Sequence, residues 1–246
     1  MMFAHGFGCD QSMWRHVAPA FEADYRVILF DYLGHGGSDL SAYDPTKYGH
    51  LSGYAADIVD IARELNVRDG VFVGHSVSAM IGVLAANTAP ELFNRLVLIG
   101  PSPRYVNDVD YVGGFERSDI DGLLEALESN YLGWSSTMAP VIVGNADRPE
   151  LGRELANSFC RTDPAIARQF ARATFLSDNR DDLRHVRARC LVLQCADDVI
   201  APATVGQFVH EQLPASAFVQ MAATGHCPNL SHPDETIAAI KDFLDS

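Results

Sequence analysis

Residues 71–87 read VFVGHSVSAMIGVLAAN, and this stretch decides the fold of the 246-residue chain. Val71 to Gly74 form a β-type run, a turn of small residues follows, and a run of aliphatic and small residues with helical character comes directly after it. In this order, strand, tight turn and helix lift a serine at the centre of the turn, here Ser76, above the edge of a parallel sheet. The stretch predicts an α/β fold and makes Ser76 a candidate nucleophile.

Other apolar runs on both sides of this stretch repeat the strand pattern. They are apolar at successive positions, which suits a mostly parallel sheet flanked by helices on both faces. The predicted strands are Arg26–Phe30, Arg95–Gly100, Cys190–Gln194 and Ala217–Met221, and helical patterns lie at Tyr54–Leu65, Ala79–Ala86 and Asp234–Leu244.

Composition excludes several classes of partner. Hydrophobic residues make up 48% of the chain and charged residues 20%, which predicts a packed core. Eighteen basic and 32 acidic side chains give a net charge of −14, which repels phosphate backbones and anionic lipid headgroups. We therefore expect neither a nucleic acid nor a membrane as partner. The opening residues MMFAHGFGCD lack the pattern of a secretory signal, which favours a cytoplasmic location.

The pattern changes between residues 104 and 185, where β-type runs give way to helical segments with scattered aromatic residues. We predict a core formed by residues 1–103 and 186–246, with residues 104–185 as a helical lid inserted before the penultimate strands. Insertions at strand ends often control access to a site. A helical layer without a gating role is the alternative.

The amino end reads like the end of a strand that runs straight into a turn. Folds of this kind usually begin with additional strands, and we expect these to be absent from the sequence. Either the native chain begins upstream of Met1, or the variant exposes a sheet edge.

A serine hydroxyl needs a base to accept its proton and a carboxylate to orient that base. Asp198 follows the strand Cys190–Gln194, and His226 follows the strand Ala217–Met221. Because the carboxyl ends of parallel strands meet at one edge of a sheet, Ser76, Asp198 and His226 can converge there.

Each of these two partners has rivals nearby. Asp197 competes with Asp198, which is preferred because it lies four residues before Pro202. His232 precedes Pro233 at a helix start and fits a structural role better than a catalytic one. His210 lies in a helix and fits a surface position. A metal site formed by His226, Cys227 and His232 lacks a second ligand cluster at suitable spacing, so we expect no metal and no cofactor.

Attack on a carbonyl also requires donors for the oxyanion, and backbone N–H groups supply them without rearrangement. The segment from His5 to Gly8, HGFG, stands before a helix predicted from Met13. We predict that the N–H groups of Phe7 and Val77 form the oxyanion hole. A plain glycine turn is the alternative.

A second glycine cluster, Gly34-His35-Gly36-Gly37, follows the strand Arg26–Phe30 and suggests a dinucleotide-binding loop. The full G-x-G-x-x-G pattern would need glycine where Asp39 stands, so the cluster is better interpreted as a turn at the upper edge of the sheet.

Along essentially its whole length the chain resembles the RsbQ branch of the α/β-hydrolases and its relatives, the plant strigolactone and karrikin receptors. Residues 3–14 (FAHGFGCDQSMW), 193–209 (LQCADDVIAPATVGQFV) and 225–237 (GHCPNLSHPDETI) look like RsbQ. Residues 74–80 (GHSVSAM) and 103–116 (PRYVNDVDYVGGFE) look like the plant receptors, and RsbQ normally has glycine where Ser78 stands here.

The resemblance implies an α/β-hydrolase fold, a four-helix lid and a small apolar pocket above the serine. It implies that the pocket is lined by Phe7, Tyr105, Phe115, Trp134, Phe159 and Phe175. It also implies a small apolar ligand or substrate and, from RsbQ, a regulatory role in the stress response together with a PAS-containing serine phosphatase.

Three functions therefore stay open at the level of sequence. The chain is an esterase or lactonase, a ligand-binding signalling module with slow or incidental hydrolysis, or a non-hydrolytic relative that uses the same three residues.

Overall fold

The computed structural model describes all residues 1–246, and its centre is one six-stranded sheet. The strands are β1 (Met2–Ala4), β2 (Ile28–Leu29), β3 (Gly70–His75), β4 (Phe93–Ile99), β5 (Arg189–Ala196) and β6 (Ser216–Thr224). Every strand pair is parallel, and the order across the sheet is β2-β1-β3-β4-β5-β6. The predicted parallel sheet flanked by helices is confirmed.

Nine α-helices accompany the sheet. They are α1 (Leu51–Glu64), α2 (Val77–Thr88), α3 (Arg117–Ser129), α4 (Tyr131–Val143), α5 (Pro149–Phe159), α6 (Pro164–Phe175), α7 (Ala203–Gln212), α8 (Pro228–Ser231) and α9 (Pro233–Asp245). None of them is both long enough and apolar enough to cross a membrane.

The central strands are covered on both faces, which explains their continuous apolar sequences. In β3, Val71 and Val73 join one hydrophobic cluster, which also contains residues of the inserted helices, whereas Phe72 between them joins the cluster on the opposite face. This alternation follows from the two-residue period of a strand. A parallel strand between two layers of helices therefore has no solvated face for polar residues.

Two elements near the amino end differ from the prediction. No α-helix begins at Met13, where the chain forms two 3-10 turns, Gln11–Trp14 and Ala18–Phe21. Pro19 has no N–H to donate, so it cannot continue a helical ladder through this segment. The strand predicted over Arg26–Phe30 is paired only at Ile28–Leu29, because it lies at the sheet edge and its single neighbour, β1, spans only Met2–Ala4.

The order of elements brings three loops to one edge of the sheet. β3 ends at His75, β5 at Ala196 and β6 at Thr224, so the loops after these strands lie side by side. Helices α3 to α6 occupy residues 117–175 between β4 and β5, and α4, α5 and α6 supply the other wall of the space above this edge.

Candidate active site

Ser76 occupies a strained backbone conformation between β3 and α2. Its φ is 58° and its ψ is −124°, a combination that few non-glycine residues adopt. The turn is so tight that a Cβ on Gly74 would collide with the carbonyl oxygen of Ser78. This geometry lifts the Ser76 hydroxyl above the sheet edge, as the sequence of the turn predicts.

His226 links the serine to the carboxylate. Its Nε2 lies 2.7 Å from Ser76 Oγ, and its Nδ1 lies 2.8 Å from Asp198 Oδ2. Because the carboxylate can only accept, Nδ1 carries the proton and Nε2 is free to accept the proton of Ser76. All three side chains are buried, so little water competes for these bonds.

Asp198 is held as an anion by its surroundings. Its Oδ1 accepts the backbone N–H groups of Ile200 at 2.9 Å and Ala201 at 3.0 Å. Burial alone would raise the pKa of Asp198, but the electrostatic interaction and hydrogen bond with His226, together with these backbone hydrogen bonds, outweigh it and lower that pKa below its ordinary value. The residue is therefore a fixed negative partner for the imidazole.

The rival residues lie elsewhere. Asp197 is exposed and adopts a left-handed conformation with φ of 52°, and its side chain makes no hydrogen bond to His226. His232 Nδ1 lies 2.9 Å from the hydroxyl of Ser231 at the start of α9, and His210 Nδ1 lies 2.7 Å from the hydroxyl of Ser216. None of the three reaches Ser76, so the structure brings together the set preferred from sequence.

The two predicted oxyanion donors flank the nucleophile. Val77 is the first residue of α2, where N–H groups have no partner within the helix, and the N–H of Phe7 makes no hydrogen bond within the chain. A Cβ on Gly6 would lie 2.6 Å from His75 Nδ1, and one on Gly8, whose φ is 67°, would overlap the ring of Phe159. Gly6 therefore lets the loop approach the serine turn closely, and Gly8 leaves space for the ring of Phe159.

His75 is a functional candidate that sequence reasoning did not single out. It is fully buried, and its Nε2 lies 2.7 Å from the backbone carbonyl oxygen of His226. Burial lowers the pKa of His75 to about 3, so the ring is neutral and donates Nε2–H to that carbonyl. The sequence feature that could have identified His75 is its position directly before Ser76 in the turn.

A small cavity of about 40 Å³ lies beside Ser76, the space of a few water molecules at most. Ten of its 14 lining residues are hydrophobic, which favours an apolar ligand. Five of the six residues implied by the resemblance line it: Phe7, Tyr105, Trp134, Phe159 and Phe175.

Phe115 does not line the cavity, and that expectation is wrong. Its backbone pairs with the segment after β4, since Phe115 N–H donates to the carbonyl of Tyr105 and Asn107 N–H donates to the carbonyl of Phe115. This pairing places the half-buried ring against the hydrophobic cluster and outside the cavity wall.

Sequence reasoning missed several lining residues. Four of them stand one or two positions from a predicted residue, and Ile142 and Leu155 share a helical face with Trp134 and Phe159 respectively. The missed lining residues are Cys9, Ile142, Leu155, Thr174, Ile200 and Cys227.

The glycine cluster after β2 does not form a phosphate loop. Its backbone surrounds a carboxylate instead, because Asp31 accepts the N–H groups of Gln11 at 2.8 Å and Gly37 at 2.9 Å. A Cβ on Gly36 would overlap that carboxylate. No group of three His, Cys, Asp or Glu side chains is arranged to hold a metal ion.

Comparison with known proteins places this geometry in a family. A family profile described as "Alpha/beta hydrolase family" matches residues 1–239. A strigolactone esterase from Arabidopsis thaliana is 41% identical over 245 residues, covering 99% of this chain and 90% of that protein. The karrikin insensitive 2 receptor CA from Petunia hybrida is 41% identical over 241 residues, covering 98% of this chain and 89% of that protein.

A solved structure gives the same fold. A hydrolase from Oleispira antarctica is 39% identical, with a TM-score of 0.97, and the alignment covers 100% of this chain and 90% of that one.

Proposed function

The chain belongs to the α/β-hydrolase family, and from that premise we propose that it is a serine hydrolase that cleaves a small apolar ester or lactone with Ser76 as nucleophile. The observation that carries this proposal is the continuous pair of hydrogen bonds from Ser76 Oγ to His226 Nε2, 2.7 Å, and from His226 Nδ1 to Asp198, 2.8 Å. The names of the related proteins, an esterase and a receptor, support it.

In the first step Ser76 Oγ attacks the substrate carbonyl carbon while its proton moves to His226 Nε2. The carbonyl oxygen becomes an oxyanion, which accepts the N–H groups of Phe7 and Val77. Asp198 stabilises the imidazolium that forms. Collapse of the tetrahedral intermediate breaks the ester C–O bond, and His226 gives its proton to the departing oxygen.

The second step returns the enzyme to its starting state. Water gives a proton to His226 Nε2 and attacks the acyl carbon, and collapse of the second tetrahedral intermediate frees the acid and returns the proton to Ser76. With a lactone, the alcohol of the first step stays attached to the acyl group, so the single product is a hydroxy acid.

The cavity restricts the substrate. Its volume of about 40 Å³ is smaller than an ester of several heavy atoms, and its mainly aliphatic and aromatic lining favours an apolar substrate. We propose that residues 104–185 act as a lid whose helices α3 to α6 yield when a ligand of several heavy atoms binds.

Turnover of p-nitrophenyl acetate and butyrate by purified protein tests this function. Ser76→Ala is expected to lower kcat by at least roughly 1,000-fold while the protein keeps its thermal transition. Ser135→Ala is the matched control, since Ser135 is an equally buried serine that bonds the carbonyl of Tyr131 in α4. Equal turnover by wild type and Ser76→Ala contradicts the proposal.

A second candidate function is ligand sensing with slow hydrolysis. It is favoured by the 41% identity to a protein named as a receptor. The resemblance to RsbQ extends this candidate to a regulatory role beside a PAS-containing serine phosphatase, in the cytoplasm. It predicts that small lactones raise the melting temperature of Ser76→Ala, in which binding is separated from turnover. Absence of any stabilisation by lactones that the wild type hydrolyses contradicts it.

A further inference from the structure

Beneath the oxyanion loop lies a group of buried polar side chains that the mechanism does not use. Ser78 and His5 are fully buried and Tyr32 is 1% exposed. Ser78 Oγ lies 2.5 Å from the backbone carbonyl oxygen of His5 and 2.8 Å from Tyr32 Oη. These bonds join the first turn of α2 to the segments that follow β1 and β2.

The direction of each bond follows from the partners. The carbonyl of His5 can only accept, so the single proton of the Ser78 hydroxyl points to it, and Tyr32 Oη–H must donate to Ser78 Oγ. Burial raises the pKa of Tyr32, which keeps its hydroxyl protonated as a donor. The three groups therefore form one relay: Tyr32 to Ser78 to the backbone of His5.

The imidazole of His5 continues this relay along the backbone. Its Nε2 accepts the N–H of Tyr32 at 3.2 Å, so in the neutral ring the proton sits on Nδ1, which lies 3.0 Å from the carbonyl oxygen of Gly6. Burial lowers the pKa of His5 and keeps the ring neutral. The carbonyl of Gly6 also accepts the N–H of Cys9 at 3.2 Å.

These bonds determine where the N–H of Phe7 points. The carbonyl of Gly6 and the N–H of Phe7 belong to one peptide group, which is trans, so the two point in opposite directions. A glycine at position 6 leaves the backbone free to rotate, and a flip of this peptide would withdraw the oxyanion donor. Such a flip breaks both bonds to the carbonyl of Gly6.

We propose that Ser78 and Tyr32 are positioning residues, which act through His5 to hold the Gly6–Phe7 peptide with its N–H directed at the oxyanion. This inference rests on the proposed function, because it assigns a purpose to the donor at Phe7. It also explains Ser78, the position at which the turn departs from the G-x-S-x-G pattern: glycine there would leave the carbonyl of His5 and the hydroxyl of Tyr32 unpartnered.

The test compares Ser78→Ala and Tyr32→Phe with two matched controls. Ser135→Ala removes an equally buried serine hydroxyl, and Tyr54→Phe removes a buried hydroxyl that makes no hydrogen bond, on a ring whose centroid lies 5.5 Å from that of Tyr32. Each protein is assayed for kcat and KM with p-nitrophenyl acetate, for inhibition by phenylboronic acid, and for its melting temperature. The boronate forms a tetrahedral adduct with the serine and so reports on the oxyanion donors.

Loss of a whole oxyanion donor lowers kcat by roughly 100- to 1,000-fold, so a loosened donor costs less. We expect Ser78→Ala to lower kcat roughly 10- to 100-fold and Tyr32→Phe roughly 3- to 10-fold, with boronate affinity reduced in parallel and KM within about threefold. In the Ser78→Ala background, Tyr32→Phe should lower kcat no further, because the relay is already broken. A purely structural role lowers the melting temperature without the parallel loss of boronate affinity.

The outcomes separate this inference from the function on which it rests. If wild type has no turnover that depends on Ser76, the proposed function fails and the inference fails with it. If wild type is active but both variants match their controls in kcat and boronate affinity, only the inference is overturned. If Ser78→Ala does not fold, the kcat and boronate affinity of Tyr32→Phe, which removes only one oxygen atom, test the inference instead.

Discussion

The sheet edge and the inserted helices α4 to α6 build the same cavity by different means. At the sheet edge, hydrogen bonds fix each reacting group: Asp198 holds His226, and two backbone N–H groups hold Asp198. On the inserted helices the wall is made of aromatic contacts, such as the stacked rings of Trp134 and Phe159 with centroids 5.7 Å apart. Hydrogen bonds are directional and ring packing is adaptable. The sheet edge therefore sets the chemistry, and the helices set the size of ligand.

The two regions meet at the histidine loop. His226 N–H donates to the carbonyl of Ile142 at 2.9 Å, and Asn145 Nδ2 donates to the carbonyl of Thr224 at 3.0 Å. The carboxyl end of α4 is thus attached to the loop that carries the base.

The largest expected effect comes from breaking the sheet-edge region at its carboxylate. Asp198→Asn is expected to lower kcat about 10,000-fold, because the amide no longer holds the His226 tautomer whose Nε2 accepts a proton. The measurement is kcat for p-nitrophenyl acetate. Asp197→Asn, an exposed neighbour, should stay within about twofold of wild type. A similar loss in both variants would contradict the assignment of Asp198.

Removing an aromatic side chain from the helical wall should change KM more than kcat. Trp134→Ala removes a ring that contacts Phe7 and Phe159 across the cavity, and we expect KM for p-nitrophenyl butyrate to rise roughly 3- to 10-fold with kcat within about threefold. Leu132→Ala, on the exposed face of the same helix, is the control. A large fall in kcat with unchanged KM would show that the helices take part in the chemistry.

Low pH should remove the contribution that ionised Asp198 makes to the stability of the fold. Because the pKa of Asp198 is lowered in the folded chain, its ionised form stabilises the fold above the ordinary aspartate pKa of about 3.9, and this contribution is lost as pH falls through the folded value. Urea unfolding midpoints measured between about pH 6 and pH 3 should therefore fall further for wild type than for Asp198→Asn, after correction for the other acids they share. Parallel curves would contradict this expectation.

The smallest effect is expected from chemical modification of an exposed residue between α5 and α6 that does not line the cavity. Cys160 is exposed, whereas the other four thiols are buried and burial raises the pKa of Cys9 and of Cys190 to about 12. An aromatic disulfide reagent at mild pH should label Cys160 alone in the native protein and all five cysteines after denaturation. Ester turnover should not change on labelling. Loss of turnover in Cys160→Ser after treatment would show that the cavity thiols are reachable.

Much of the sheet-edge region could be predicted from sequence, because its residues stand directly after strands. Ser76, Asp198 and His226 each follow a β-type run, and parallel topology then brings them together. The inserted helices were harder to predict. An aromatic residue on a helix faces a cavity only if its helix packs in one orientation, and Phe115 lies outside because backbone pairing, which periodicity does not show, turns it away.

The amino-terminal segment shows a second limit. The pattern from Met13 is compatible with a helix, yet Pro19 and the full burial of Trp14 give two short 3-10 turns. The relay through Ser78 shows a third limit: sequence identifies the unusual serine, but its partners come from segments more than 40 residues away in the chain. Such long-range contacts leave no local pattern.

The most direct test of the central claim is the identification of the acylated residue. Wild type is mixed with p-nitrophenyl acetate, quenched in acid within the first turnover, digested and analysed by peptide mass spectrometry. We predict an initial burst of about one p-nitrophenolate per chain and an acetyl group on Ser76, and we expect neither in Ser76→Ala. An acetyl group on another residue, or turnover with no covalent intermediate at Ser76, would contradict it.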